Sequence, residues 1–516
     1  MKLKRAFALT LAFILTALTF SGCNAKQAVI NTISNLDPKS TSAQTQGTSR
    51  IDFTIPYLRS DPIDPYKATT DVNRDLCSLL FDPLYGLDEN FKPQPLIAEN
   101  CKLNGKSLTV NIKSGLKFSD GSTLGAEDVK YSFKLAKASK AYSITLNNIS
   151  SVEGEGTSLM FKLKSPNPYE ANNLIFPIIK KDSDKTEKSG DSSASPPIGS
   201  GRYSIMSSSS DKILSANKSR LGGFQPTYYN IGLKDVTEAS SVPNLFSMGE
   251  IDFYTNRFTD GDYHSYSGTA TDFEMTNFVY LGINSEKSVF KDSRVKRALA
   301  LLLNRKDLAT VSFSSFARET SSPFHPSFFA TATATLPPID YDFNAGVKLL
   351  EEAGFKSDKG SSSGRELKLR LVVNNDNSFK VSMARSIQQY FAKADIQVEL
   401  IELPYSKYLY RVENENFDIY LGETALPCSF DLSAFFTEGA GLEYGINTES
   451  AAANAYRSFE KGEINMQSFL DAFADDLPFI PIAYRDGIVI RSSKIKTRIE
   501  TSPTDCFYNI KDWNAD

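Results

Sequence analysis

Few residues in this chain combine a reactive type with a spacing that could do chemistry. Gly360-Ser-Ser-Ser-Gly364 fits the Gly-x-Ser-x-Gly form of a hydrolase nucleophile, which needs a buried strand before the serine and a helix after it. Here Lys356-Ser-Asp-Lys359 precedes it, and the alternating strand pattern of Leu367, Leu369, Leu371 and Val373 follows. The stretch therefore reads as a polar loop, and no catalytic residue is assigned. Gly199-Ser-Gly201 has no Lys-Ser/Thr behind it, as a phosphate-cradling loop requires. His264 and His325, the two histidines, share no His-x-x-x-His spacing, so no histidine-held metal and no cofactor are expected; a metal carried inside a chelator stays open. The remaining chemistry is noncovalent binding, and with 35 Phe and 23 Tyr against a single Trp, any stacking falls to Tyr and Phe.

Composition agrees. A net charge of -4 leaves no basic footprint for nucleic acid. Hydrophobic content of 41% and charged content of 23% are those of an ordinary globular protein. A length of 516 residues exceeds what one core serves, so two or three lobes are expected.

The N-terminus states a destination. Lys2, Lys4 and Arg5 precede the uncharged apolar run 6–20, the form of a secretion signal. The run ends in Phe20-Ser-Gly-Cys23, which resembles a lipobox, so residues 1–22 read as a lipoprotein signal peptide and Cys23 as the lipidated residue. Residues 23–49 are polar and aperiodic, a tether with a reach on the order of 30 Å. Cys77, Cys101, Cys428 and Cys506 then form an even set in an oxidising compartment. Cys77 with Cys101 and Cys428 with Cys506 is the first pairing to test, with buried free thiols the alternative.

The elements follow from periodicity. Phe290-Lys-Asp-Ser-Arg-Val-Lys-Arg-Ala-Leu299 continues to Leu308 as a helix capped by Asp292 or Ser293. Val295, Ala298, Leu299 and Leu302 make its apolar stripe, and Arg294, Lys296, Arg297, Arg305 and Lys306 a basic outer face. A helix is expected from Asp71 to Leu80, and strands through Ile51, Phe53 and Ile55 and through Leu108, Val110 and Ile112. Val129, Phe133 and Ala136 mark another helix. Residues 181–197 lack apolar content and read as a surface loop. Residues 341–355 form a helix closed by Gly354. Strands at 367–373, 396–400 and 417–421, with a helix through Ala384, Ile387 and Phe391, argue a parallel βαβ lobe. Leu477-Pro-Phe-Ile-Pro-Ile482 and Gly487-Ile-Val-Ile490 return the chain to the first lobe, completing a hinge.

Several of these stretches, in order, resemble one family. Val279-Tyr-Leu-Gly-Ile-Asn284 and the helix after it, Phe118-Ser-Asp-Gly121 with Ala126-Glu-Asp-Val-Lys-Tyr-Ser-Phe133, Ile198-Gly-Ser-Gly-Arg-Tyr203, Gly249-Glu-Ile-Asp252 and Lys348-Leu-Leu-Glu-Glu-Ala-Gly-Phe355 are similar to signatures of the peptide-type solute-binding proteins of bacterial ABC importers. The resemblance implies an α/β, two-lobed periplasmic-binding-protein-like fold (class II, cluster C type) with an extra α/β subdomain in the first lobe. Its parts would be 50–75, 181–270 and 481–516 for lobe I, 76–180 for the accessory subdomain and 271–480 for lobe II. It also implies a monomer that is no enzyme, held to the outer side of the membrane by lipid. Such a protein takes a peptide or other small solute by hinge closure and delivers it to ABC permease subunits; oligosaccharide, chelated nickel or a sensing role are the alternatives. Matched motif by motif, Thr69, Thr70 and Tyr142 fall at ligand positions. Where peptide binders carry Gly-Trp-x-x-Asp for the ligand ammonium, this chain reads Gly422-Glu-Thr-Ala-Leu-Pro-Cys-Ser-Phe-Asp431. Glu423 or Asp431 would supply the charge, Asp431 alternatively capping a helix, and Tyr444, Glu443 and Asn447 are further lining candidates.

Overall fold

Alternating apolar runs broken by Pro and Gly condense here into three packed cores. The computed structural model describes residues 51–185, 196–207, 212–258, 266–355 and 367–514. Cys23 with the signal and tether, His264, and Gly360-Ser-Ser-Ser-Gly364 lie outside the described residues.

The chain opens with β1 (Phe53–Leu58), turns at the prolines of Asp61-Pro-Ile-Asp-Pro65 and enters α1 (Asp71–Leu80). The accessory region follows: a hairpin of β2 (Tyr85–Leu87) and β3 (Pro93–Pro95), then β4 (Ala98–Asn104), β5 (Ser107–Ile112), α2 (Ala126–Ala138), β6 (Ile149–Glu155) and β7 (Ser158–Leu163). Its antiparallel sheet has the order β4-β5-β7-β6. Val129, Phe133 and Ala136 of α2 are buried in that core with Val110 and Phe161. Gly125 starts α2 with Asp128 Oδ2 accepting from its N–H at 2.9 Å, so the carboxylate three residues on satisfies the orphan amide that the glycine leaves.

The chain then makes β8 (Tyr203–Ser207), β9 (Lys212–Ala216) and β10 (Asn230–Val236), ordered β1-β10-β9-β8 with β1 parallel to β10. Next come α3 (Val242–Ser247) and β11 (Phe253–Asn256). The C-terminal segment closes this core, with the indole of Trp513 fully buried beside Phe53, Phe253 and Phe507. Gly199 and Gly201 lie against the end of α1, where a Cβ on Gly201 would come 2.3 Å from the Leu80 carbonyl carbon, so glycine here is a packing requirement.

β12 (Thr269–Ile283) leaves for the second lobe. That lobe runs α4 (Ser293–Leu301), α5 (Arg305–Ser312), β13 (Ala317–Glu319), α6 (Phe343–Glu352), β14 (Lys368–Asn374), α7 (Ser378–Lys393), β15 (Gln397–Leu403), α8 (Tyr405–Glu413) and β16 (Ile419–Ala425). After α9 (Ser433–Phe436), α10 (Ala451–Glu460) and α11 (Met466–Asp476), β17 (Phe479–Arg491) returns. β14 pairs parallel with β15 and β16, the βαβ arrangement expected from the alternating strand and helix patterns. One seven-stranded sheet, ordered β11-β17-β12-β16-β14-β15 with β13 on β17, runs through both lobes.

The helix expected over 290–308 is two helices. Asp292 caps α4, accepting from Arg294 N–H, and Asn304 caps α5. The stripe of Val295, Ala298, Leu299 and Leu302 is fully buried, but the basic face is not wholly outward. Lys296 turns in to Asp476 at 3.2 Å. Arg305 is buried and donates to the carbonyls of Pro481 at 2.8 Å and Ile339 at 2.7 Å. The break after Leu302 reorients Arg305 toward carbonyls that no nearby residue could predict. Leu299→Ala, removing a wholly buried side chain, lowers unfolding free energy by about 2–5 kcal/mol in urea titration, whereas Lys306→Ala, on the exposed side of α5, changes it by less than about 0.5 kcal/mol.

Candidate functional site

A cavity of about 1090 Å³ lies where β1 and β11 end, walled by the first turns of α1 and the start of α3. Thr70 caps α1, its hydroxyl oxygen accepting from Asn73 N–H. Thr69 and Thr70 each donate twice to Asp61, through backbone N–H and hydroxyl, at 2.6–3.0 Å. Burial pushes the Asp61 carboxyl up, but these four donations outweigh it and hold the group below its ordinary value. Both threonines line the cavity, with their hydroxyl protons committed to Asp61.

The charged residues of the wall neutralise one another. Arg74 meets Asp71 at 3.4 Å on α1. Arg257, from the end of β11, meets Asp75 at 2.6 Å and lies 5.1 Å over the Phe273 ring. Burial works against the Arg257 charge, but Asp75 and then Asp71 raise its pKa overall. Sequence reasoning missed this pair. The Asp71, Arg74 and Asp75 spacing on one helix was readable, but Arg257 lies far along the chain with no local signal.

Glu423 lies elsewhere, on β16 beside the point where β12 and β17 cross between lobes. Arg485 donates to it at 2.8 Å, Lys380 meets it at 3.0 Å and Asn277 donates at 3.0 Å. Burial pushes the carboxyl up, yet Lys380 and Arg485 win and hold it at about 2. Its oxygens are thus occupied by protein partners. The Arg485 guanidinium also donates to the carbonyls of Arg257 and Phe258, tying this ion cluster to the rim of the cavity.

Asp431 Oδ1 accepts from Ser433 N–H at 2.7 Å, starting α9, and from the Tyr456 hydroxyl at 2.9 Å. Two other acids share its surroundings. Burial, then Asp431, raises Glu460 to about 8. Glu170 of the accessory region is raised to about 7, by burial first, although Asn148 and Asn173 oppose it. Tyr142 lies edge-on to Tyr66 with ring centroids 6.0 Å apart. Burial raises its pKa, and it senses Cys77 and Arg74 of α1 and Cys428 of the second lobe, so it sits where the accessory region meets both lobes. Tyr444 is half-buried against the second-lobe core, away from the cavity wall. Glu443 accepts from Gly439 and Gly441 N–H, and Asn447 from Glu449 N–H, so both hold their own loop. Of the expected ligand residues, the structure brings Thr69 and Thr70 to the cavity wall and leaves Tyr142, Glu423, Asp431 and Tyr444 off it.

Cys77, Cys101, Cys428 and Cys506 are free thiols, with Cys77 and Cys506 in the first-lobe core and the Cys428 carbonyl accepting from Asn172. His325 is sealed among Phe91, Phe430 and Tyr484, and burial lowers its pKa to about 3. Among the described residues, no group of three or more His, Cys, Asp or Glu is arranged to hold a metal, and no helix is long and apolar enough to cross a membrane.

Two lobes joined by two crossing strands, with a roomy cavity of mixed polar and apolar lining in the first lobe, have the form of a protein that binds a solute. Residues 92–439 match the model of the bacterial extracellular solute-binding proteins, family 5 Middle, and the chain belongs to that family. It is 25% identical over 397 residues to the oligopeptide-binding protein AppA of Bacillus subtilis, covering 71% of each chain. The structure of AppA with a nonapeptide is similar at a TM-score of 0.55 and 21% identity, covering 90% of this chain and 98% of AppA. NikZ of Campylobacter jejuni, in complex with Ni(L-His), is similar at 0.60 and 20% identity, covering 90% of this chain and 100% of NikZ. An ABC transporter substrate-binding protein of Sinorhizobium meliloti is similar at 0.70 and 17%, covering 90% and 100%.

Because the folded pKa of Glu423 is depressed below 4.5, the stability it contributes is complete above about pH 4.5 and is lost as pH falls toward 2. Glu423→Gln, which leaves Arg485 unpaired, lowers unfolding free energy at pH 7 by about 3–5 kcal/mol. In urea titrations the gap between variant and parent narrows below pH 4.5.

Proposed function

We propose that this protein captures oligopeptides outside the cytoplasm, closes its lobes over them and delivers them to the membrane permease of an ABC importer. The observation that carries this reading is the cavity wall. It has the volume for a ligand larger than the drug-sized molecules of ordinary pockets, and its Arg74–Asp71 and Arg257–Asp75 pairs leave no unbalanced charge facing the ligand. A neutral, hydrogen-bonding wall suits a peptide backbone, whose binding then depends little on side chains. An anionic metal chelate would instead favour an unpaired cation.

The ligand ammonium is assigned to Asp431. Burial and the Asp431 charge raise Glu170 and Glu460, to about 7 and about 8, against Asn148, Asn173, Arg457 and Lys461, so an arriving cation relieves a crowded acidic cluster. Thr69 and Thr70 line the ligand's path from the first lobe, and Tyr142 stands behind them where the accessory region meets both lobes. Glu423 and Tyr444 act as second-lobe framework near the ligand. The protein works as a monomer and without catalysis, and Cys23 carries the lipid that holds it to the outer face of the membrane.

Native mass spectrometry of the secreted chain from Asn24 onward, followed by release and sequencing of what it carries, tests the assignment. Mixed short peptides are expected. A single non-peptide mass, or an empty protein with no thermal shift in peptide mixtures, overturns it. Asp431→Asn weakens binding of a recovered peptide by at least about tenfold in calorimetry, and N-acetylation of that peptide removes the difference between parent and variant. In cells, Cys23→Ala abolishes incorporation of labelled palmitate and releases the protein from the membrane fraction.

A further inference from the structure

The two strands that cross between the lobes are mismatched at the crossing. Glu274 of β12 pairs with Asp486 of β17, and the next pair is Phe278 with Tyr484, so Met275, Thr276 and Asn277 stand against Arg485 alone. The last regular pair before the bulge therefore sets two carboxylates directly opposite each other, an arrangement that destabilises a ladder when both are ionised. β13, a short strand of the second lobe, lies on β17 with Arg318 opposite Tyr484. From there the Arg318 guanidinium reaches Asp486 at 3.1 Å, Glu274 at 3.0 Å and Asp272 at 2.8 Å.

We infer that Arg318 is an electrostatic staple across the hinge, and that uptake of one proton by the Glu274–Asp486 pair stiffens the crossing and so slows opening of the lobes. Hinge strands with extra residues on one side need something to fix their bend. Arg318 does this by tying a second-lobe strand to the first-lobe half of β12. One guanidinium cannot balance three carboxylates. Glu89, Arg498, Glu500 and Tyr508 line the same small cavity as Asp272, Glu274 and Arg318, and the two acids among them offset Arg498. Ser327, from the second lobe, donates to Glu274 at 2.7 Å, a further link that favours its ionised form. The proton therefore goes to Asp486, which is 3% exposed and whose side chain, among the described residues, accepts from Arg318 alone. Burial, with Asp272 and Glu274, raises its carboxyl to about 7, against the pull of Arg318. Burial likewise raises Glu274.

The sign follows. Below about pH 7 the pair carries one charge and the ladder is intact; above it the two opposed charges repel and the crossing loosens. This inference concerns the hinge and holds for any ligand, so it is tested on the ligand-free secreted chain. Hydrogen exchange of backbone amides in 272–278 and 484–488, corrected for intrinsic rates, is compared at pH 6 and pH 8. The parent is expected to be about five- to tenfold more protected at pH 6. Asp486→Asn, which mimics the protonated acid, is expected to show the same high protection at both values, and Arg318→Met low protection at both. Equal protection of the parent at the two values, or a pH dependence that survives in both Asp486→Asn and Glu274→Gln, overturns the inference. Glu274→Gln removes the same like-charge contact from the other strand and serves should the asparagine variant fail to fold. None of these outcomes bears on whether the cleft takes peptides.

Discussion

The structure depends on the crossing of β12 and β17. These strands, of 15 and 13 residues, are each half in one lobe and half in the other, and their ladder makes a single sheet of what would otherwise be two separate bodies. Every residue of β17 up to Ile490 is buried, so the linker is not a solvated tether but part of the packed core. A hinge built this way cannot bend by fraying. It bends at the bulge, where three residues of β12 face one of β17, close to a second register shift between Val279 and Tyr280, because there the hydrogen-bond ladder is already interrupted.

What surrounds the bulge decides how the cavity is presented. Arg485 projects from it toward Glu423 of the second lobe and at the same time donates to the carbonyls of Arg257 and Phe258. Those two carbonyls end the strand that carries Arg257 to Asp75 in the cavity wall. Movement at the crossing is thus transmitted through one rigid, five-donor group to the wall that meets the ligand. The accessory region adds a second link between lobes, with Asn172 donating to the Cys428 carbonyl and Asn173 exchanging bonds with Ser429.

Much of the architecture was legible in the sequence because it is local. The limits of α1, the parallel βαβ order of the second lobe and the two returning segments all follow from periodicity and capping within about 15 residues. The basic face of the 290–308 stretch misled for the opposite reason: Arg305 and Lys296 turn inward to partners more than 170 positions away, and local amphipathicity is silent about such partners. Part of the cavity wall was legible: motif position singles out Thr69 and Thr70, and their bonds to Asp61 span fewer than ten residues. Arg257 and Arg485 were missed because their meaning lies in contacts across 182 and 62 positions. The four thiols were even in number and so compatible with disulfides, but parity does not report which side chains the fold brings within bonding range.

Buried arginine is the common device at the joints. Arg202 fastens α1 to the C-terminal segment through the Ser78 and Phe507 carbonyls and Asp505. Arg305 fastens α5 to β17 and Arg485 fastens the crossing to the cavity rim. Each replaces several backbone hydrogen bonds that loops cannot make for themselves, and because a guanidinium stays charged even when buried, these joints do not loosen over the physiological pH range. The carboxylates whose burial outweighs their partners, Glu170, Glu460 and, in spite of Arg318, Asp486, are the ones driven up to between about 7 and 8. They lie where the accessory region meets the second lobe and where the strands cross, and not in the interior of a lobe. Fixed charge therefore holds the parts rigid, while titratable charge collects at the boundaries between parts. A protein that must close on a ligand and open again has its adjustable electrostatics at the surfaces that move.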